Sequence, residues 1–252
     1  MIVTISANLY YRAVRAAAEM SGAMSYSVKE IFYSLQGEGA NTGRPAVFCR
    51  FAGCNLWSGR EADRAKATCK FCDTDFVGTN GRGGGIFETP YALVDAIAAA
   101  WPSKAHNRAQ PFVVFTGGEP LLQLNQPVVD VLHHRGFEVA IETNGTQLPP
   151  QGIDWICVSP KAGADLVLRH GQELKLVFPQ VDLPPARFET PAPVRRDGPE
   201  AEPFLGLDFQ YFYLQPMDGP EFACDVLLAV EYCLEHPQWR LSLQTHKLLK
   251  IR

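Results

Sequence analysis

The sequence predicts an α/β fold, an incomplete TIM-like barrel of about six mainly parallel strands with covering helices, and three observations carry that prediction. Short β-branched and aromatic runs alternate with helical patterns along the chain. The runs are almost continuously apolar, as strands buried on both faces must be, and parallel neighbours require the crossovers that helices provide. Glycine and polar residues recur just beyond the C-terminal ends of the runs, where open and closed α/β sheets carry their chemistry.

The strand-like runs, in order, are PAVFCRFAG (45–53), PFVVFTGG (111–118), FEVAIETNG (137–145), DWICVSPK (154–161), ELKLVFPQ (173–180) and QYFYLQPM (210–217). Between them TPYALVDAIAAAW starts a helix with Thr89 as N-cap and Pro90 in the first turn. A second helical pattern near 124–135 stops at Gly136, and a third, FACDVLLAVEYCLEH (222–236), ends before Pro237. The runs lead respectively into Cys54, Thr116-Gly117-Gly118-Glu119-Pro120, Glu142-Thr143-Asn144-Gly145, Ser159-Pro160-Lys161 and, for the last, Gln215-Pro216-Met217. That recurrence outlines a rim at one edge of the sheet.

Two segments stand apart. Pro184 to Pro203 is proline-rich with mixed charges and reads as a surface insertion. Residues 1–23 precede the motif-bearing sequence; with Met20 and Met24 as further possible starts, they read as an accessory helix or an overcalled start. The remainder, 24–252, is expected to form a single domain.

With 252 residues, 46% of them hydrophobic, the chain can fill a sizeable core, which excludes a disordered or fibrous class. A formal net charge of -4 gives no basic face for nucleic acid, so a small molecule is the expected partner. No apolar run approaches the length of a membrane span. Seven cysteines are an odd and low count for a disulfide scaffold, and a reducing, cytoplasmic setting fits them.

Three of those cysteines cluster in GCNLWSGREADRAKATCKFCDTDF (53–76): Cys54, Cys69 and Cys72. Two thiolates two residues apart and a third across a loop form a three-point clamp, and soft thiolates select zinc or an iron-sulfur cluster. A structural zinc site would need a fourth ligand nearby. Cys49 is the one candidate between residues 49 and 80, and strand alternation puts it on the opposite face as a small core residue. A trio of unrelated core cysteines and a zinc-binding interaction module therefore stand beside a three-cysteine cluster that leaves one iron open for a ligand.

The Cys69-Lys70-Phe71-Cys72 motif followed by a strand ending in Gly-Gly-Glu-Pro resembles the radical S-adenosylmethionine (SAM) enzymes. Most of these space the three cysteines three and then two residues apart, whereas here fourteen residues fill the first gap. That departure, with FYSLQGEG (32–39), CDT (72–74), ETNGT (142–146), VSPK (158–161) and SLQTHK (242–247), resembles the 7-carboxy-7-deazaguanine synthase family over essentially 26–252.

The resemblance implies a radical SAM core and a lyase of queuosine and 7-deazapurine biosynthesis that converts 6-carboxy-5,6,7,8-tetrahydropterin to 7-carboxy-7-deazaguanine with loss of ammonia, using SAM catalytically. It implies a [4Fe-4S] cluster on Cys54, Cys69 and Cys72, and Mg2+ at Thr74, whose lone hydroxyl would need substrate oxygens to complete the shell. SAM would lie against Phe71, Cys72, Asp73, Gly117, Gly118, Glu142, Ser159, Pro160 and Lys161, the two glycines admitting its methionyl amino group. The pterin would meet Leu35, Gln36, Gly37, Glu38, Arg50, Thr116, His246 and the carboxylate of Arg252. It further implies an external electron donor such as flavodoxin or ferredoxin, a homodimer, and no direct contact with nucleic acid or membrane. A glycyl-radical activating enzyme would share the cluster but show an open groove for a protein substrate.

Overall fold

The computed structural model describes residues 25–102, 109–189 and 206–252. The N-terminal extension and the proline-rich insertion from residue 190 onward lie outside the described residues. In chain order the elements are β1 (Tyr26–Leu35), β2 (Pro45–Phe51), β3 (Gly85–Phe87), α1 (Pro90–Ala100), β4 (Phe112–Gly117), α2 (Gln126–His134), β5 (Glu138–Thr143), β6 (Trp155–Val158), β7 (His170–Phe178), β8 (Asp208–Pro216), α3 (Phe222–Glu235), β9 (Trp239–Leu241) and α4 (Thr245–Leu249), with four 3-10 turns between them.

All nine strands join one open sheet in the order β3-β1-β2-β4-β5-β6-β7-β8-β9. The seven strands from β2 to β9 run parallel, and β1 pairs antiparallel with both β2 and β3. The six expected runs are β2, β4, β5, β6, β7 and β8. The three additions have physical reasons for being less legible. In β1 the adjacent Lys29 and Glu30 interrupt the apolar pattern, and β3 and β9 are three residues each.

The expected helices form, the first with its expected cap and the second with Asn125, which the sequence pattern does not single out. Thr89 Oγ1 accepts from Ala92 N at 3.1 Å at the start of α1, and Asn125 Oδ1 accepts from Val128 N at 3.4 Å at the start of α2. Helices do not cover the whole sheet, however. The crossovers 144–154 and 159–169 carry none, and the second is folded back when Val167 N and Leu168 N both donate to Gly145 O at 2.9 Å, burying Leu166 and Leu168 in place of a helix.

The period-two alternation of the strands sorts chemistry by face. Val47, Cys49, Phe51, Val113, Phe115, Val139 and Ile141 point outward into the main core with Leu93, Val94 and Ile97 of α1 and Val128, Val129 and Leu132 of α2. Cys49 is fully buried there, on the face that alternation assigns it. On the concave face Phe32, Ala46, Phe48, Phe112, Val114 and Ala140 form an apolar floor. Above that floor the inward positions become polar: Arg50 beside Thr116 in register, then Glu142 beside Cys157, and Glu173 and Lys175 on β7. The inner face thus presents charge to one open side.

Phe115 is fully buried and stacked on Phe51 with ring centroids 5.6 Å apart, joining β2 to β4 beneath the rim. Phe115→Ala is expected to lower the unfolding free energy by about 3–5 kcal/mol. Urea denaturation checks this: the midpoint should fall with little change in slope.

Candidate active site

Beyond β2 the chain turns through Gly53, whose N–H donates to Phe76 O at 3.3 Å, and reaches Cys54, whose Sγ accepts from Leu56 N at 3.4 Å. The fourteen residues to Cys69 leave the sheet and return, because Thr68 N and Cys69 N both donate to Leu56 O, at 3.1 and 3.3 Å. A 3-10 turn over Glu61–Lys66 supplies Arg64. Its Nε donates to both Glu61 oxygens at 2.9 and 2.8 Å, its guanidinium lies 4.1 Å from the Trp57 ring centroid, and its Nη1 donates to Lys70 O at 2.9 Å and Cys72 O at 3.1 Å. Arg64 therefore braces the Cys69–Cys72 turn from outside.

Cys54, Cys69 and Cys72 are all free and all line one cavity of about 570 Å³. A hydrogen bond from Cys69 lowers the Cys72 thiol to about 6, and the same bond together with burial pushes Cys69 up. Burial likewise raises Cys54. Among the described residues no three or more His, Cys, Asp or Glu converge to hold a metal ion. A cubane offers its irons at separate corners, so three thiolates around a cavity suit it without converging on one point.

The end of β4 meets this loop almost backbone to backbone. A Cβ on Gly117, at φ +152, would stand 2.5 Å from Phe51 O, and one on Gly118 would stand 2.1 Å from Gly53 O and 2.7 Å from Cys54 Cβ. Both glycines line the cavity, but what their missing side chains admit is the cysteine loop itself, a reason different from the expected approach of a methionyl amino group. Next to them the fully buried Glu119 accepts from Leu121 N at 3.0 Å, Thr143 Oγ1 at 2.7 Å and Asn144 N at 2.8 Å, tying the end of β4 to that of β5. Burial raises its carboxyl.

Around the cavity the expected residues gather from distant parts of the chain. Leu35, Gln36, Gly37, Glu38, Arg50, Phe71, Asp73, Thr74, Thr116, Glu142, Ser159, Lys161, His246 and Arg252 all line it. Thr116 Oγ1 donates to Glu142 Oε2 at 3.2 Å, and Gln36 Nε2 donates to Glu142 Oε1 at 3.0 Å. The loop after β1 is held down by Thr245, whose N and Oγ1 donate to Gly37 O at 2.9 and 3.0 Å. Lys161 Nζ donates to Ser159 O and Oγ at 2.6 and 2.7 Å and stands 6.0 Å from the Phe71 centroid, with burial lowering its pKa. Thr74 Oγ1 donates to Asp73 Oδ1 at 3.3 Å. Burial would raise the Asp73 carboxyl, but its hydrogen bond and ion pair with Lys247 bring it below the usual range.

Two expected residues sit differently. Pro160 is not on the cavity wall; its carbonyl accepts from Gln180 Nε2 at 3.3 Å, which fixes the turn carrying Ser159 and Lys161. The main-chain oxygen of Arg252 accepts from the Ser34 hydroxyl at an exposed flank, while its guanidinium pairs with Glu30 at 3.1 Å and lies 5.5 Å from the Phe32 centroid. Glu30 also receives Arg50 Nε at 3.0 Å, so one carboxylate serves two guanidiniums at the cavity wall.

Gln215, at the rim where the sequence puts it, lines the cavity, and so do Lys29, Glu30, Lys175, Gln244 and Lys247, which the motifs do not single out. Lys175 had a readable signal: a lysine between two leucines of an interior strand must point away from the apolar face. Gln244 and Lys247 lie inside SLQTHK, where only His246 drew notice.

No protein-family model matches the chain. The 7-carboxy-7-deazaguanine synthase of Bradyrhizobium diazoefficiens is 60% identical over 229 residues, 91% of this chain and 100% of that protein. The enzyme of the same name from Bordetella pertussis is 60% identical over 228 residues, 90% of this chain and 100% of its own length. Among solved structures, QueE from Escherichia coli superposes with a TM-score of 0.60 at 26% identity, covering 95% of this chain and 98% of that one.

Arg64→Ala removes both outer hydrogen bonds to the cysteine turn. At about 1.4 kcal/mol for a charged donor, amide hydrogen exchange over residues 69–74 should accelerate roughly tenfold. Mass spectrometry of exchange tests it: unchanged protection there would mean that the brace contributes nothing.

Proposed function

Because the chain belongs to the 7-carboxy-7-deazaguanine synthase family, we propose that it is the radical SAM lyase of queuosine biosynthesis that converts 6-carboxy-5,6,7,8-tetrahydropterin to 7-carboxy-7-deazaguanine and ammonia. The observation that supports this most is the shared cavity: three free cysteines, the glycine edge of β4, and Arg50, Glu38 and His246 all line the same cleft. A glycyl-radical activating enzyme would need room for a polypeptide, and the cavity suits a bicyclic acid beside a nucleoside better.

In this reading Cys54, Cys69 and Cys72 hold a [4Fe-4S] cluster, with Cys49 turned into the core on the far face of β2. When bound, cluster and SAM together supply one-electron cleavage of a sulfonium and a carbon-centred radical for hydrogen abstraction. The chain's own part is to bind, orient and exclude water. Glu142 and the Ser159–Lys161 turn face the ribose and methionyl carboxylate, and Phe71 the adenine. Arg50 presents a planar fork to the pterin carboxylate, and Glu38 with the Gln36 loop accepts from the N–H-rich aminopyrimidone edge. His246 closes that side, with Thr116 beneath. Thr74 would offer its hydroxyl to Mg2+, with the substrate carboxylate and SAM needed to complete the site. The reaction is redox-neutral overall: the pterin loses the elements of ammonia, and the electron comes from an external flavodoxin- or ferredoxin-type donor.

Anaerobic assay of variants tests the reading. Cys54→Ala, Cys69→Ala and Cys72→Ala are each expected to bring bound iron well below about four per chain and to abolish product. Arg50→Ala should keep its iron and raise KM for the pterin roughly tenfold, from loss of a charged hydrogen-bond pair. Deazapurine formed at the normal rate by any of the three cysteine variants would defeat the proposal.

A further inference from the structure

Lys175 stands at the middle of β7 with its side chain only 6% exposed, on the polar side of the concave face. Its Nζ is hydrogen-bonded to Glu38 Oε2, from the loop between β1 and β2, and lies 3.6 Å from Glu142 Oε1 on β5. The two carboxylates face different parts of the cavity. Glu38 is held on its other oxygen by Gln244 Nε2 at 3.0 Å, on the side of His246. Glu142 is held by Thr116 at 3.2 Å, at the end of β4. Gln36 makes a second bridge, its Nε2 donating to Glu142 while its Oε1 accepts from Gly37 N at 2.8 Å and Glu38 N at 3.2 Å.

We propose that Lys175 is a positioning residue that couples the two ligand subsites: one ammonium aims Glu38 at the pterin edge and Glu142 at the SAM ribose, so that each ligand weakens the other. The inference rests on the assignment of those two carboxylates made above. Physically, two carboxylates and one buried ammonium leave a negative excess, which a donor-rich ligand edge relieves. A donor arriving at Glu38 releases part of the Lys175 charge to Glu142, which then gains less from a hydroxyl, and a hydroxyl arriving at Glu142 does the converse. Coupling of this kind is reciprocal by thermodynamic necessity.

The charges around the triad support that assignment. Lys175 faces Glu38, Glu142 from β5, Cys157 from β6 and Glu173 from its own strand, and Lys161 feels its field. Burial would lower the Lys175 pKa, but those acidic neighbours hold it well above the lysine range. For Glu38, burial pushes the carboxyl up, and the charge and hydrogen bond of Lys175, with Gln244 and His246, bring it below the usual carboxylate range. Without Lys175 the Glu38 pKa rises, so a ligand that needs its carboxylate ionised binds less well as pH falls through the new value.

Equilibrium binding to anaerobically reconstituted protein without reductant separates the possibilities, with SAM and 6-carboxytetrahydropterin each titrated alone and in the presence of the other. In the unmodified protein each ligand should weaken the other roughly fivefold or more. Glu38→Gln should weaken the pterin alone, and Glu142→Gln should weaken SAM alone. Lys175→Met should weaken both and bring the coupling factor close to one, with pterin affinity falling more as pH is lowered than in the unmodified protein. Lys175→Arg should restore much of the coupling, and Lys175→Gln, which keeps a donor without charge, carries the expectation of Lys175→Met if that variant does not fold. An unchanged coupling factor in the uncharged variants, or loss of one ligand only, overturns the inference. Unchanged affinities in both glutamine variants of the carboxylates would instead overturn the assignment of the subsites.

Discussion

The end of β4 lies closer to the loop carrying Cys54 than any residue with a side chain would allow. Parallel pairing brings Phe51 of β2 into register with Gly117, and the chain then continues so that Gly118 N donates to Phe51 O at 3.4 Å and Glu119 N to Gly53 O at 3.0 Å. The ladder is thereby extended past the strand end by backbone contacts that demand two consecutive glycines. Their consequence reaches beyond local geometry: Cys54 is fixed relative to β4, β4 is fixed to β5 through the buried Glu119 carboxylate, and Glu142 and Thr143 stand one strand further on. One vertex of the thiolate triangle and the polar wall opposite it share a single rigid support. A site whose groups must act within fractions of an ångström gains most from this kind of support.

The second organising feature is that strand alternation places charges on the inner face while leaving each with a partner. Arg50 and Arg252 share Glu30, Lys175 sits between Glu38 and Glu142, and Lys247 joins Asp73 to Asp218 at 2.7 Å. Among the described residues no buried side-chain polar atom lacks a hydrogen-bond partner. Buried charges that are paired in this manner add little to net stability, because desolvation offsets the attraction. What they add is definition: each carboxylate has one orientation, already paid for before a ligand arrives.

Legibility followed from the same physics. β2, β4, β5, β6, β7 and β8 were readable because strands covered on both faces are apolar nearly throughout, and the first two helices because Thr89 caps one and Gly136 ends the other. β1 was not, because Lys29 turns to Asn80, the Val77 carbonyl and Asp75, and Glu30 to the two arginines, so its pattern looks polar where it is inside. The helix-free crossovers left no periodic trace to miss. At the site, motif residues with side-chain chemistry arrived on the cavity wall, whereas residues acting through the backbone were harder to assign. Gly117, Gly118 and Pro160 were placed at the right edge, but their contacts are to protein carbonyl and amide groups that no linear reading reveals. For Lys175 the inward direction was readable but its partners were not: they lie 33 and 137 positions away, and only the fold brings Glu142 and Glu38 to it.

The long first cysteine gap can be weighed in the same terms. Closing a flexible loop costs about (3/2)RT ln n, so fourteen residues in place of three add only roughly 1.4 kcal/mol. The insert more than recovers an amount of that order. Arg64 makes two charged hydrogen bonds to the Cys69–Cys72 turn, its guanidinium stacks on Trp57, and Trp57 packs edge-on against the buried Phe76 at 5.6 Å. Trp57 Nε1 in turn donates to Arg60 O at 3.2 Å, closing the insert on itself. The extra residues therefore do not loosen the cysteine triangle. They form a small secondary core whose outward product is a second hold on the Cys72 carbonyl, so Cys72 is fixed from the insert as well as from its own turn.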